Sequence, residues 1–212
     1  LLIVVASANP EPRRGLIDRF LVSAFIEKIH PIIVVTKIDV APIPDFMEKY
    51  AALGVEIMTT SSKIAERPEQ VAEIAALLRG KVSVLVGHSG VGKSTFINAV
   101  FPQMALRTQE VSEWSGKGLH TTTFAEMFEI EDGGYLIDTP GIKEFGILDI
   151  DEFELSHYFP EFRKYLGQCR YNNCQHLNEP GCVVRQKLEE GYIHPYRYDS
   201  YVKILTEEDD YR

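Results

Sequence analysis

The amino-acid sequence predicts an α/β fold, a mostly parallel sheet with helices on both faces, followed by a small α-helical domain. Two patterns carry that expectation. Short apolar, β-branched runs alternate with amphipathic stretches through residues 1–146, the order that builds a helix-flanked parallel sheet. After Gly146 the chain turns to aromatic-rich helical segments with irregular connections, so residues 147–212 read as a second domain. A length of 212 residues fits such a pair, and 45% hydrophobic with 10% aromatic residues supplies a core. Collagen, disorder and coiled coil are excluded. No apolar run approaches the ~20 residues that span a bilayer, and no signal-peptide pattern is present. The chain starts at Leu1 inside an apolar run, so a segment is expected ahead of it.

Leu1–Ala6 reads as the first strand, and Leu16–Ile29 as a helix with Leu16, Phe20, Val22, Phe25, Ile26 and Ile29 on one side. Ile32–Val35 is the next strand, followed by a helix near Phe46–Leu53 and a strand at Val55–Thr59. Pro68 opens a helix that runs through Val71–Leu78 until Gly80 stops it. Val82–Val86 is a strand entering a glycine-rich loop. Thr122–Ile130 and Tyr135–Ile137 predict a hairpin joined through Asp132-Gly133-Gly134.

Twenty-two basic against 31 acidic residues give a net charge of -9, which argues against nucleic-acid binding by bulk electrostatics. A local basic patch in residues 161–212 is compatible with that balance. The three cysteines all fall between Cys169 and Cys182. An odd number makes a poor disulfide framework, so a reducing cytoplasm and a metal site are expected.

Gly87-His88-Ser89-Gly90-Val91-Gly92-Lys93-Ser94 matches G-x-x-x-x-G-K-S in full, after a strand and opening the apolar helix Thr95–Val100. The glycines let successive N–H groups turn inward around phosphate oxygens, aided by the helix N-terminus. Lys93 is expected on the β and γ phosphates and the Ser94 hydroxyl on Mg²⁺. Asp138-Thr139-Pro140-Gly141 follows a strand, where Asp138 suits the Mg²⁺ shell and the Gly141 amide the γ phosphate. One of Thr121, Thr122 and Thr123 would complete that shell, with Thr122 the expected ligand. Thr36-Lys37-Ile38-Asp39 follows another strand and resembles the guanine-reading N-K-x-D. The Asp39 carboxylate would accept two hydrogen bonds that adenine cannot offer. Thr36 replaces the usual Asn. Ser61 and Ser62 resemble the companion base loop.

The motif order is inverted. Base-reading elements precede the phosphate loop, and Asp138 comes last, which is the pattern of a circular permutation. The permuted order, G-H-S-G-V-G-K-S, the threonines after G-K-G-L-H, D-T-P-G and the Cys/His cluster resemble the ribosome-small-subunit-dependent GTPase family (RsgA, YjeQ or YloQ). Ser7 to Phe20, with Pro12 and Asp18-Arg19-Phe20, is similar to that family too. The resemblance implies a circularly permuted P-loop GTPase domain and a C-terminal zinc domain. It also implies an N-terminal OB-fold, which is expected to lie ahead of Leu1 and outside this sequence, and GTP hydrolysis stimulated by the small ribosomal subunit during its late maturation.

Cys169, Cys174, His176 and Cys182 offer three thiolates and an imidazole, the closed tetrahedral set of a structural Zn²⁺, at spacings that resemble the family's. Ile142 follows D-T-P-G where many GTPases carry a water-orienting Gln, so His120 becomes the catalytic candidate. Packing or RNA contact is the other reading of His120. Arg163, Lys164, Arg170, Arg185, Lys187 and Arg197 are the candidate rRNA contacts in a chain expected to be monomeric and membrane-free. Two rivals remain at this level: a permuted GTPase acting on the large subunit, and a GTP switch with negligible hydrolysis.

Overall fold

The computed structural model describes residues 1–102, 104, 125–130, 133–139 and 151–206. Among them, six strands form one sheet: β1 (Leu2–Ala6), β2 (Ile32–Thr36), β3 (Glu56–Thr59), β4 (Val82–Val86), β5 (Glu126–Glu129) and β6 (Tyr135–Asp138). Their spatial order is β3-β2-β1-β4-β6-β5, all parallel except the β5–β6 hairpin at one edge. The central strands are apolar on both faces because both faces are buried: Ile3, Val4, Ile33, Val34 and Val35 are all at most 1% exposed.

The chain divides into two compact units. The first comprises Leu1–Pro12 with Pro31–Lys143, and the second Arg13–His30 with Glu144–Arg212. In the first, α2 (Met47–Ala52), α3 (Pro68–Leu78) and α4 (Lys93–Val100) accompany the sheet. Ile74 and Leu78 of α3 and Phe96, Ile97 and Val100 of α4 join Leu2, Val4, Ile32, Val34, Leu85 and Leu136 in one core. Pro68 stands at the first helical position of α3, where its missing N–H costs nothing.

The second unit holds α1 (Arg14–Ile26), α5 (Pro160–Arg163), α6 (Val183–Glu189), α7 (Pro195–Leu205) and a 3₁₀ turn at Leu155–Tyr158. Sequence adjacency places α1 with residues 1–146, yet its packing places it here. Val22 is in one core with Leu155, Phe159, Phe162, Val184, Ile193, Tyr201 and Ile204. The helix stops at Ile26 rather than Ile29 because Glu27 caps it and Lys28 takes a left-handed φ of 56°. Asp18 on α1 is fully buried and pairs with the Arg197 guanidinium on α7. Glu161 of α5 accepts from Arg197 Nε at 2.6 Å, and the guanidinium lies over the Phe159 ring.

Arg197 is therefore a core residue, only 2% exposed, and not a surface base for rRNA. A guanidinium between two carboxylates is the arrangement that lets such charges be buried at all.

Candidate nucleotide and metal sites

Parallel strands end at the same edge of the sheet, so each loop that leaves a strand there can share one site. The register sets Ala6 opposite Thr36 and Leu85 opposite Asp138. β1 and β4 are neighbours from which the chain proceeds in opposite directions across the sheet, a topological switch point. The loop after β4 is Gly87–Gly92. Gly87 has a φ of +154°, and a Cβ there would lie 2.2 Å from the Val4 carbonyl oxygen, so only glycine fits against β1. Gly92 is the left-handed N-cap of α4, which starts at Lys93 and presents its first N–H groups to the loop.

Lys93 folds over this loop, its Nζ donating to the carbonyls of Gly87 at 2.8 Å and His88 at 3.3 Å. Burial lowers its pKa, while the charge of Asp138 opposes that shift. Burial correspondingly raises the pKa of Asp138, countered by Lys93. The Asp138 Oδ1 atom is buried without a hydrogen-bond partner among the described residues. Such an oxygen, beside a phosphate loop carrying the Ser94 hydroxyl, fits a hard cation such as Mg²⁺ or one of its bound waters. Thr139 ties this turn to the phosphate strand, its hydroxyl donating to the Leu85 carbonyl at 2.6 Å.

The base-side loops are cross-linked to the phosphate loop. Thr36, buried at the end of β2, donates its hydroxyl to the Val91 carbonyl at 2.5 Å, with Val5 O at 3.2 Å. Lys37, at a left-handed φ of 60°, donates through Nζ to the carbonyls of Gly90 at 2.8 Å and Asn9 at 2.5 Å. Ser7 bridges back, its hydroxyl donating to the Lys37 carbonyl at 2.7 Å and its N–H to the Thr36 carbonyl at 2.9 Å. Asp39 accepts from the Ser62 N–H at 2.6 Å, and Ser61 Oγ accepts from Lys63 N–H at 2.8 Å. The Ile38 N–H donates to the Thr60 carbonyl at 3.3 Å. Thr36–Asp39, Ser61, Ser62, Gly87–Thr95 and Asp138 thus surround one edge of the sheet.

In the second unit the thiols of Cys169, Cys174 and Cys182 and the His176 imidazole lie within 4.8 Å of one another. His176 Nδ1 is 3.6 Å from Cys169 Sγ and 3.5 Å from Cys182 Sγ. An edge of about 3.5 Å is what a tetrahedron with Zn–S near 2.3 Å and Zn–N near 2.05 Å requires. Burial pushes the Cys174 thiol up to about 12 and raises that of Cys182, so thiolates here need a cation beside them. The surroundings already favour thiolate sulfur: Val183 N–H points at Cys169 Sγ and Arg185 N–H at Cys182 Sγ, each at 3.4 Å. The ligand loop is fixed from below. Tyr198 and Tyr201 donate to the carbonyls of His176 and Gln175, and Glu179 accepts from the N–H groups of Gln175 and Leu177. This Cys₃His group fits a tetrahedral metal ion.

A family model described as RsgA GTPase matches residues 1–148. The chain belongs to the RsgA GTPase family. It is 43% identical over 212 residues to the small ribosomal subunit biogenesis GTPase RsgA of Bacteroides fragilis, covering 99% of this chain and 68% of that protein. Against the protein named small ribosomal subunit biogenesis GTPase RsgA 1 of Vibrio vulnificus it is 38% identical over 210 residues, 96% of this chain and 59% of that one. The structure of YjeQ from Thermotoga maritima superposes with a TM-score of 0.73 at 35% identity, covering all of this chain and 71% of that one. YloQ, described as a circularly permuted GTPase, does so with a TM-score of 0.74 at 33% identity, covering 100% and 68%. The α/β class and the permuted order expected from the sequence are thus borne out, and membership of the RsgA GTPase family makes this a GTP-hydrolysing enzyme.

Of the expected site residues in this RsgA-family chain, His120, Thr122 and Gly141 lie outside the described residues. The sequence placed Ser7 and Asn9 in the family-like stretch Ser7 to Phe20 without giving either a role, yet both hydrogen-bond Lys37, whose Nζ also reaches the phosphate loop. The available signal was the S-A-N-P turn after β1, the strand between the base motif and the phosphate loop. Thr36 loses the amide of the usual Asn, but its hydroxyl already reaches the phosphate loop.

Proposed function

We propose that this chain binds GTP with Mg²⁺ at the edge of the sheet and hydrolyses it in late maturation of the small ribosomal subunit. The observation that carries the reading is the gathering of T-K-I-D, S-S, G-H-S-G-V-G-K-S and Asp138-Thr139 at one sheet edge, in a sequence order that is permuted. In this reading the Gly87–Ser94 amides cradle the phosphates and Lys93 leaves its carbonyl partners for the β and γ oxygens. Mg²⁺, when bound, neutralises charge that develops on the phosphoryl oxygens. Ser94, Asp138 and Thr122 are the residues assigned to hold it, and the Gly141 amide is assigned to the γ phosphate. Asp39 reads the guanine edge, Lys37 lies along the base, and His120 orients water. The Cys₃His group holds one structural Zn²⁺ in a C-terminal domain, taken as residues 147–212, and the protein works in the cytoplasm. The names carried by the relatives from Bacteroides fragilis and Vibrio vulnificus support the partner assignment.

Single-turnover GTP hydrolysis, alone and with isolated small or large ribosomal subunits, tests this. Acceleration by the small subunit only is the expected result. Acceleration by the large subunit, or none with either, replaces the partner or reduces the chain to a binding switch. His120→Ala should keep GDP affinity and cut stimulated turnover by roughly 10²-fold, the scale of a water-orienting group. Full turnover in that variant assigns the role elsewhere.

A further inference from the structure

The hairpin edge of the sheet has one covered face and one open face. Met127 stands in register with Ile137 and Val84, and Glu129 with Tyr135 and Val82. Residues directly opposite one another share a face. On the other face, Leu85 and Leu136 belong to the core and Phe128 packs against it. The first face instead leaves Val82 63%, Met127 57% and Tyr135 40% exposed. β5 is also the last strand at this side of the described sheet. The Tyr135 N–H donates away from β5, to the Lys81 carbonyl at 2.8 Å, whereas the Ile130 N–H crosses the hairpin to the Gly134 carbonyl at 3.1 Å. Backbone groups alternate sides along an antiparallel pair, so Met127 and Glu129 turn their N–H and C=O groups outward from the sheet. β4, β5 and β6 contain Glu126, Glu129 and Asp138 and no basic residue; Lys81 lies ahead of β4, two strands from β5.

We infer that this edge takes up a basic, extended segment of another protein as an added strand beside β5. The outward main-chain groups of Met127 and Glu129 supply the pairing, and the open apolar face supplies burial. Side chains set the choice of partner. Lysine or arginine opposite Glu126 and Glu129, with apolar residues opposite Met127 and Phe128, complements E-M-F-E in either strand direction. A second copy of β5 does not fit. Parallel or antiparallel, it sets glutamate against glutamate, and like charges directly opposite are destabilising. The same glutamates repel the phosphates of a nucleic acid, while the net charge of -9 draws a cationic segment toward the chain. The inference is independent of the nucleotide reading.

The test is a residue-resolved NMR titration of the full chain with two short synthetic peptides, one centred on Lys-Val-Val-Lys and one on Glu-Val-Val-Glu. The lysine peptide should bind about tenfold or more tightly than the glutamate peptide, because two cross-strand charge pairs change sign between them. Binding should slow amide exchange at Met127 and Glu129, with a smaller change at Phe128, whose N–H already faces β6. Glu126→Lys combined with Glu129→Lys should reverse the preference between the peptides. Met127→Pro removes an outward donor and spares the pairing with β6, so it should weaken the lysine peptide roughly fivefold or more. Equal binding of both peptides, or binding that leaves Met127 and Glu129 unprotected, overturns the inference. So does no binding by either, which makes the glutamates guards of a bare edge. A dimer of the chain that protects the same two amides makes a second copy the occupant and overturns it as well.

Discussion

Thr36 ties two loops that are distant in sequence through a single hydroxyl. Its buried hydroxyl, 4% exposed as a residue, joins β2 to the Val91 carbonyl of the phosphate loop across 55 residues of sequence. Thr36→Val keeps shape and removes the donor, leaving a buried carbonyl without it. That loss costs about 1–3 kcal/mol, so GDP affinity measured by fluorescence titration should fall roughly fivefold or more. Thr36→Ser should recover most of it, and an unaffected Thr36→Val would show that the link does not reach the nucleotide. Asp39 works through charge and acceptor count instead. Asp39→Asn trades one acceptor for a donor that faces the guanine N–H groups. Competition binding should show preference moving from guanosine toward xanthosine nucleotides by about tenfold or more. Equal guanosine preference in the variant would remove Asp39 from base recognition.

At the scale of elements, α1 is the instructive case. It connects β1 to β2 along the chain, as any crossover helix does, but its buried acid belongs to a network with α5 and α7. Removing the shared cation leaves two carboxylates buried together. Arg197→Ala should therefore destabilise the second unit by about 3–5 kcal/mol, the range for breaking a buried ion pair. Hydrogen exchange should show residues 14–26 and 195–205 losing protection together, while β1 and β2 keep theirs. Exchange confined to 195–205 would mean that α1 is held by other contacts.

For the whole molecule, the two units draw stability from different sources. The first rests on a large apolar core around a parallel sheet, whereas the second has a smaller core beside a Cys₃His group. A metal bound only by the folded state adds its binding free energy to folding. Purified protein should retain about one zinc per chain, and a strong chelator or Cys174→Ala should remove it. Thermal melts should then show an early transition of the second unit, with the sheet unit melting near its original temperature. One unchanged cooperative transition after zinc loss would refute a structural role for the metal.

What the sequence determined by itself was local or carried by short spacing. β-branched runs predicted the central strands β1 and β2, because a strand buried on both faces needs continuous apolar residues, and the Asp132-Gly133-Gly134 turn signal predicted the β5–β6 hairpin. The G-x-x-x-x-G-K-S loop declared itself because its glycines, lysine and serine act within eight consecutive positions, and the Cys₃His set because its four ligands span only Cys169–Cys182. Tertiary structure decided what depends on residues distant in sequence. Arg197 read as a surface base, since nothing near it in the chain shows that Asp18, 179 positions away, and Glu161 enclose it. The side to which α1 packs was equally hidden: its buried residues run almost all the way round the helix, so periodicity names no single partner. Likewise Ser7 and Asn9 gained their role only when β1 was placed between the base-side strand and the phosphate strand, because strand order is set by packing of whole elements and not by local propensity.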